Sequence, residues 1–356
     1  MVCAGKPVRL AVSADPGWDA AAAARTRPAP LGELAERLGL GPRWAALAPF
    51  VEPSDAAAPP PPRPAPNQIR CRFFGHAAVL LETESNAVLV DPIIPAAPQA
   101  GAPRFLFADL PERIDLALIT HGHPDHLHLE TLLQLRGRVD RIVVPQTGIG
   151  RLEDPNLRLM LKAAGFPRVE EMGALDEIGL DDGCVTGLAF TGEHSDMDIQ
   201  AKLAYHVRLH DRSFLLAADC ANTDSAILDR LFEAVGAVDT LFIGMESGGA
   251  PLSWLYGPLI TAPLEREQDS ARRLSGADVE RARDMCERLR AREVFFYAMG
   301  EEPWMWPLTG HHPAPARGSD TPSDRLAQSL RARGVAAAHL VGPQTFHYPG
   351  ATGLRR

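Results

Sequence analysis

The sequence predicts a layered α/β domain in which helices flank mixed β-sheets. Three observations support this fold class. The larger part of the chain opens with three short apolar strands, strands then alternate with helices, and one strand runs directly into a turn rich in histidine. The chain has 356 residues and a hydrophobic content of 46%, which suffices for one large domain and a small appendage.

A segment rich in proline and alanine, residues 55–67, divides the chain into two unequal parts. Its prolines exclude helix and central strand and favour a semi-rigid polyproline linker. Residues 1–54 are expected to form a small accessory region, and residues 68–356 the large domain. The accessory region is too short for its own core, so we expect it to dock on the large domain or on a partner subunit of a homodimer. Its predicted elements are a strand at 8–12 and helices at 19–25 and 31–38.

Three consecutive strands are predicted after the linker, at 69–74, 77–82 and 87–90, because each is a short apolar run. They should form a β-meander that ends at Asp91-Pro92 and leads into a loop reaching about residue 110. Strands and helices alternate beyond this loop. The later strands are predicted at 115–120, 141–145, 185–191, 201–208, 213–218, 240–244 and 294–299. The later helices are predicted at 127–136, 155–164, 225–234, 277–292 and 323–333.

Residues 120–126 read Thr-His-Gly-His-Pro-Asp-His and follow a buried apolar strand. The glycine and the proline end the strand, and the leucines that follow take helical spacing, so the turn joins a strand to a helix. His121 and His123 should project to one side, while Asp125 and His126 open the helix and can face a second ion. This density of ligands predicts a site for two metal ions. Imidazole and carboxylate together favour zinc, iron or manganese over calcium or magnesium.

Charge and composition exclude several classes of function. The formal net charge of −9 argues against a nucleic-acid partner, because binding to phosphate backbones depends on clustered Lys and Arg. The sequence has neither a run of eighteen apolar residues nor an export signal, so we expect a cytoplasmic protein without a membrane partner. Five cysteines without C-x-x-C spacing indicate neither a disulfide framework nor a zinc ribbon. No glycine-rich phosphate-binding motif supports a nucleotide cofactor.

Two segments upstream of the turn extend the pattern, Gly75-His76-Ala77-Ala78-Val79-Leu80 and Val90-Asp91-Pro92. Together with the H-x-H-x-D-H signature they resemble the metallo-β-lactamase superfamily over about residues 68–300. The resemblance implies that the large domain is catalytic and forms an αββα sandwich of two mixed sheets. It also implies a dinuclear site where strand ends converge. The superfamily includes hydrolases, nucleases, flavodiiron proteins and oxygenases, so the function must be argued from the remaining ligands.

The next ligand of the superfamily falls within residues 191–196, where two neighbouring residues compete. Hydrolytic members place a histidine here, and His194 would then complete a three-histidine shell. A smaller branch, the bacterial di-iron β-hydroxylases of natural-product biosynthesis, places a glutamate at this point, and Glu193 matches it. Glu193 is the preferred ligand, although it could instead orient the ring of His194. A glutamate ligand favours iron that reaches higher oxidation states over zinc.

Three long segments resemble the same branch, and they lie at 244–247, 249–258 and 297–304. Asp219 follows an apolar strand at the place where the superfamily has its bridging aspartate, so the resemblance implies that both metals share its carboxylate. Most members supply the last ligand as a histidine after the following strand, and this chain has none there. Glu246 is the preferred candidate.

The other histidines are weaker candidates for the metal site. His311 and His312 lie in a Gly/Pro-rich loop and His347 lies near the C-terminus, and each is ranked below Glu246. His76 is expected to support the site without binding metal.

The resemblance implies a non-haem di-iron oxygenase that activates O2 to hydroxylate or otherwise oxidise an amino-acid-like substrate in natural-product biosynthesis. Two iron ions and an external electron donor are implied, and the substrate is either free or bound to a carrier protein. Glu193, Asp219 and Glu246 are the expected catalytic residues. The alternative is a dinuclear zinc hydrolase of an ester, amide or phosphodiester, with His194 as ligand and Asp125 or Asp219 orienting the nucleophile. A metal-stabilised binding module without catalysis is the third and least supported interpretation.

Overall fold

The computed structural model of the chain describes most of the large domain and two N-terminal helices. The described residues are 2–3, 6–7, 16–24, 29–41, 45, 60–94, 103–148, 150, 154–192, 200–245, 262–263, 265, 276–302, 304–305 and 321–349. The strands are β1 Val2–Cys3, β2 Lys6–Pro7, β3 Gln68–Gly75, β4 Ala78–Glu82, β5 Ala87–Val90, β6 Ile114–Leu118, β7 Val139–Pro145, β8 Val169–Met172, β9 Glu177–Leu180, β10 Gly183–Ala189, β11 Leu203–Leu209, β12 Arg212–Leu216, β13 Thr240–Gly244, β14 Glu293–Tyr297, β15 Ala336–His339 and β16 Gln344–Pro349. The helices are α1 Pro16–Ala23, α2 Leu31–Arg37, α3 Leu129–Leu135, α4 Leu157–Ala163, α5 Ser225–Val235, α6 Val279–Arg288 and α7 Pro322–Ala332.

Fourteen of these strands form two mixed sheets of seven strands each. The first sheet has the order β16-β3-β4-β5-β6-β7-β8, and the second has the order β15-β14-β13-β12-β11-β10-β9. In the first sheet β3, β4 and β5 form an antiparallel meander, and β5 to β8 are parallel. In the second sheet β9 to β12 are antiparallel and β12 to β15 are parallel. The carboxyl ends of parallel neighbours lie at one edge of each sheet.

The two sheets pack face to face around a shared apolar core. Val88 and Leu116 of the first sheet and Tyr205, Phe242 and Phe295 of the second belong to this core and are buried. On the outer face of the second sheet, α5, α6 and α7 cover a separate cluster that includes Ala282 and Leu326. Helices α3 and α4 cover the first sheet in the same way. The order of layers is therefore helix, sheet, sheet, helix, which confirms the predicted αββα sandwich.

The predicted meander and the alternation of strands and helices are confirmed, but the start of one helix is wrong. Helix α3 begins at Leu129 and not at residue 127, and Asp125 and His126 lie in the preceding turn rather than opening the helix. The N–H groups of His126 and Leu127 both donate to the carbonyl of His123, at 3.0 and 2.7 Å. This single turn is not continued, because the next residue is extended.

Four strands of the large domain were missed by the sequence analysis, and all lie at or beside the edges of a sheet. They are β8, β9, β15 and β16. Their sequences are short and polar or alanine-rich, so they lack the apolar alternation that identifies a half-buried strand. The strand predicted at 8–12 lies outside the described residues.

The accessory region contacts the large domain through α1. Asp19 Oδ1 accepts a hydrogen bond from Arg136 Nε at 2.9 Å, just after α3. The predicted boundaries at 1–54, 55–67 and 68–356 stay predictions.

Among the helices of the described ranges, none combines the length and the apolar content that a bilayer span requires.

His206, a buried residue of β11, should make folding sensitive to mild acid. Burial and then Arg208 lower the pKa of His206 from 6.5 to about 4, so the folded protein keeps this ring neutral where the unfolded chain binds a proton. The free energy of unfolding should therefore fall as the pH drops from about 6.5 to 4, by about 3 kcal/mol from this group. We expect His206→Gln to remove that contribution, so its stability deficit at pH 7 should shrink at pH 4. Denaturant unfolding at both pH values measures this, and a deficit that is equal at both would contradict it.

Candidate metal centre

Asp91 fixes the beginning of the ligand-rich turn. It follows β5 and is fully buried, beside the end of the parallel neighbour β6. Asp91 Oδ1 accepts a hydrogen bond from Thr120 N at 2.7 Å, and Oδ2 accepts one from Thr120 Oγ1 at 2.6 Å. Oδ2 also lies 2.8 Å from His126 Nδ1. Because an ionised carboxylate only accepts, Nδ1 of His126 carries the proton and its Nε2 is left as the ligating atom.

The first cluster of candidate ligands consists of His121, His123 and Asp219, all buried. His121 Nε2 lies 2.9 Å from His123 Nδ1 and 3.4 Å from Asp219 Oδ2. The hydroxyl of Thr120 donates to Asp91, so it accepts from His121 Nδ1, which lies 3.0 Å away. This hydrogen bond leaves Nε2 of His121 with its lone pair, the form in which a neutral imidazole binds metal.

The second cluster consists of His76, Asp125 and His126, also buried. His76 Nε2 lies 3.1 Å from Asp125 Oδ2, and His126 Nε2 lies 3.8 Å from the same oxygen. Asp219 Oδ2 is 3.2 Å from His126 Nε2 as well as 3.4 Å from His121 Nε2. Its carboxylate therefore lies between the two clusters and reaches both.

Two buried atoms of the second cluster indicate that the clusters are built for metal. Asp125 Oδ1 has no hydrogen-bond partner among the described residues, and His126 Nε2 makes no well-directed hydrogen bond there, although Asp219 Oδ2 lies 3.2 Å away. Leaving such an atom buried and unpaired costs about 1–3 kcal/mol, so proteins rarely do so without a ligand to satisfy it. The combination of imidazole nitrogens and carboxylate oxygens suits zinc, iron or manganese. The residues present fit a pair of such ions.

The electrostatics of the clusters also favour a cation. Burial would raise the pKa of Asp125, but His126 and the hydrogen bond from His76 outweigh burial and hold it well below its usual range. Burial would lower the pKa of His126, but Asp219 and Asp125 raise it well above its usual value. Burial and the neighbouring His126 lower the pKa of His121. The Asp125 carboxylate therefore favours its charged form, and the surroundings stabilise positive charge near His126 Nε2.

Strained backbone holds three residues of the site. His76, Asp91 and Ala218, the last directly before Asp219, have φ values of 49°, 42° and 47°. Each such conformation costs a non-glycine residue about 1–3 kcal/mol and persists only when its surroundings enforce it. At Ala218 they do, since its N–H donates to the Tyr297 hydroxyl at 3.1 Å and its carbonyl accepts from Gly244 N at 2.7 Å. These contacts set the position of Asp219.

The segment that follows β10 is fastened beside Asp219. Ala221 N donates to the carbonyl of Thr191 at 2.7 Å, and the hydroxyl of Thr191 donates back to the carbonyl of Ala221. Gly192 has a φ of 86°, and a Cβ atom there would lie 2.7 Å from the Cβ of Ala221, so only glycine fits. Lys202 Nζ donates to the carbonyl of Gly192 at 2.9 Å. The chain is thus held next to the metal clusters up to the residue before Glu193.

The structure brings together five predicted ligands, four from the turn and one that follows a strand of the second sheet. They are His121, His123, Asp125, His126 and Asp219. Glu193, His194 and Glu246 lie outside the described residues, as do His311 and His312, and their assignments stay predictions. His347 is exposed on the edge strand β16.

The sequence alone gives Asp91 no role beyond its place in the Val90-Asp91-Pro92 motif. The signal that could have identified it is its position at the end of β5. A carboxylate there reaches the ligand turn only if β5 and β6 are parallel neighbours, and the sequence did not establish that pairing.

Comparisons with known proteins agree with this geometry. Residues 86–296 match the sequence profile of the Beta-lactamase superfamily domain. The chain is 40% identical over 314 residues to the 4-amino-L-phenylalanyl-[CmlP-peptidyl-carrier-protein] 3-hydroxylase of Streptomyces venezuelae, covering 87% of this chain and 59% of the relative. It thus spans less than two thirds of that relative's length.

The chain is also similar to a solved structure and, over a short stretch, to a second relative. The crystal structure of CmlA, a diiron beta-hydroxylase from Streptomyces venezuelae, is 37% identical with a TM-score of 0.78, over 94% of this chain and 63% of that one. A metal-dependent hydrolase of the UPF0173 group from Pyrococcus horikoshii is 42% identical over 59 residues, which cover 17% of this chain and 24% of that protein. The predicted similarity to the di-iron β-hydroxylase branch is confirmed, and the chain belongs to the β-lactamase superfamily.

Proposed function

We propose that this chain is a non-haem di-iron oxygenase that hydroxylates an amino-acid-like substrate attached to a carrier protein. The observation that carries the proposal is the pair of buried clusters joined by Asp219, in a chain 40% identical to a hydroxylase of a carrier-bound amino acid. The relative's name supplies the substrate class, and the clusters supply a place for two metal ions.

The proposal takes ligands for each ion from the described residues. His121 Nε2, His123 Nδ1 and Asp219 would hold the first ion. Asp125, His126 Nε2 and the same Asp219 would hold the second, so Asp219 would serve both ions. Each proposed set contains three described residues, and further ligands would come from the segments around Glu193 and Glu246.

Glu193 is the proposed additional ligand of the first ion. It is one peptide unit beyond Gly192, and consecutive Cα atoms are about 3.8 Å apart. Gly192, the residue before it, is held against Ala221 and Lys202, and Ala221 is two residues after Asp219. A carboxylate in this place makes the shell more anionic, which favours iron over zinc. Glu246, two residues after β13, is the proposed additional ligand of the second ion.

When bound, the iron ions supply the redox chemistry of O2 activation, with electrons from an external donor. Hydroxylation of a C–H bond consumes one O2, two electrons and two protons, and yields the hydroxylated substrate and one water. The protein's own residues provide the rest. Asp91 and Thr120 orient the histidine rings, and the described ligand residues are buried.

Metal content tests the proposal directly. Protein loaded anaerobically with Fe(II) should retain about two iron ions per chain, because two clusters of candidate ligands are present. With a reductant, O2 and an aminoacyl carrier protein, it should yield a product whose mass is larger by one oxygen atom. Mass spectrometry of the carrier-bound amino acid measures this. A colourless protein that retains two zinc ions and hydrolyses an ester, amide or phosphodiester would defeat the oxygenase proposal in favour of the zinc hydrolase.

Glu193→Ala and His194→Ala separate the two candidate ligands. If Glu193 binds iron, its replacement should lower the retained iron from about two ions to about one, and His194→Ala should keep both. Iron analysis of each purified variant, beside a thermal unfolding curve, is the measurement. Loss of iron in His194→Ala alone would assign the histidine and remove the argument for iron over zinc.

Asp91→Asn should weaken metal binding without removing a ligand. An asparagine oxygen can accept from Thr120 N, but its amide group then faces two donors, Thr120 Oγ1 and His126 Nδ1. His126 must move its proton to Nε2 to relieve this conflict, and that removes the lone pair that binds metal. We expect the affinity for Zn(II) or Fe(II) to fall about 10–100-fold in a chelator competition.

The matched control for this variant is Asp239→Asn. Asp239 Oδ2 likewise accepts from the N–H and the hydroxyl of one residue, Ser213, at 3.0 and 3.1 Å. It lies in the second sheet outside both clusters, so its replacement should leave the metal affinity unchanged. Equal affinities in the two variants would show that Asp91 does not orient His126.

A further inference from the structure

The chain segment after β14 holds His76 at three points. The backbone N–H of His76 donates to the carboxylate of Glu302, and its carbonyl accepts from Ala298 N at 2.9 Å. The third contact reaches the ring, where Gly300 N donates to His76 Nδ1 at 3.2 Å. The orientation of this ring is therefore set from the second sheet, although His76 itself follows a strand of the first sheet.

Glycine at position 75 makes this close approach possible. Gly75 lies at a β-bulge at the end of β3 and has a φ of 117°. A Cβ atom there would lie 2.7 Å from Trp304 Cζ2 and 3.7 Å from Glu302 Cγ. Trp304 and Glu302 thus pack directly over the Gly75-His76 pair, and a larger residue would push them away.

The hydrogen bond from Gly300 determines which nitrogen of His76 carries a proton. Since the backbone N–H of Gly300 donates to Nδ1, Nδ1 must offer a lone pair, and the ring proton lies on Nε2. Nε2 is 3.1 Å from Asp125 Oδ2, so His76 donates to that oxygen. A histidine that binds metal through Nε2 needs the lone pair at that atom. The tautomer that Gly300 selects is therefore unsuited to coordination.

The other oxygen of Asp125 completes the argument. Asp125 Oδ2 accepts the hydrogen bond from His76, whereas Oδ1 is buried and has no hydrogen-bond partner in the described ranges. The carboxylate consequently has one oxygen held by the protein and one left for a ligand. His126 is oriented in the same manner, with Nδ1 held by Asp91 and Nε2 facing the candidate ligand Asp219 at 3.2 Å.

We propose that His76 is a positioning residue, which donates from Nε2 to Asp125 Oδ2 and so leaves Asp125 Oδ1 to bind the second metal ion. His76 does not itself bind metal, although its ring lies within the cluster. The inference rests on the proposed two-metal function. It also gives a role to the segment at 297–304, because Ala298, Gly300 and Glu302 in that segment set the orientation and the tautomer of His76. Among the described residues, the second ion then depends on Asp125, His126 and Asp219.

Two substitutions at one position distinguish positioning from ligation. In His76→Gln the amide N–H can occupy the place of Nε2–H and donate to Asp125, but it offers no lone pair to a metal. In His76→Leu the donor is lost at comparable size. We expect His76→Gln to bind two Fe(II) or Zn(II) ions nearly as tightly as the unmodified chain. We expect His76→Leu to bind the second ion about 10–100-fold more weakly.

The measurements are anaerobic metal titration, metal analysis and X-ray absorption of the loaded protein. The number of imidazole nitrogens per metal should be the same in His76→Gln and in the unmodified chain. His206→Gln is the matched control, because it replaces another buried histidine outside both clusters and should change neither quantity. Unfolding curves report whether each variant folds, and if His76→Leu fails to fold, the glutamine variant still decides between the two roles.

Each outcome has a separate meaning. Equal loss of the second ion in both His76 variants, or fewer imidazole nitrogens per metal in His76→Gln, would identify His76 as a ligand and overturn the inference. Unchanged binding in both variants would overturn it as well, because positioning would then have no effect. If the unmodified chain itself fails to bind two ions, the proposed function fails first and the inference fails with it. If only the inference fails, the unmodified chain still binds two ions and the His76 variants alone give the contradicting result.

Discussion

The metal centre depends on one buried carboxylate, that of Asp91. Its two oxygens accept hydrogen bonds from the backbone N–H and the hydroxyl of Thr120 and from the ring of His126. This one side chain therefore sets the path of the turn and, directly or through Thr120, the proton positions on His126 and His121. A buried carboxylate is costly unless it is fully hydrogen-bonded, and here three contacts offset that cost. Because the hydrogen-bond directions form a chain from Asp91 through Thr120 to His121, the ligating nitrogens are determined before any ion arrives.

The second constraint is the packing of the two sheets against each other. Tyr205 of the second sheet donates to the carbonyl of Ile119 at 2.8 Å, and Leu203 N donates to the carbonyl of Thr120 at 2.8 Å. These contacts tie the end of β6 to the start of β11 across the sandwich. Asp219 enters from the second sheet and lies between clusters built mainly from the first. The bridging position thus results from the apolar core, which sets the distance between the sheets.

The same fold serves hydrolases and oxygenases, so the layers alone do not select a reaction. In this chain, the carboxylates around the shared histidine motif are the residues that would favour one reaction over the other. The charges of Asp125 and Asp219 already favour positive charge, and every further carboxylate ligand would stabilise a more highly charged metal. Strained residues at His76, Asp91 and Ala218 hold the ligand-bearing segments in conformations that no local preference would select. The fixed backbone at these three positions keeps the candidate metal-ligating atoms directed toward the site.

The sequence by itself determined the class of the fold, most central elements and the turn at 120–126, because apolar periodicity and dense ligand spacing are local properties of the chain. It could not place the edge strands, since β8 and β15 have little apolar alternation, and it started α3 two residues early. Only the tertiary structure decided that Asp219 reaches both clusters, that Asp91 orients His126, and that Gly300 selects the tautomer of His76. These relations join residues far apart in sequence, and a proton on a ring nitrogen depends on the partner that folding places beside it.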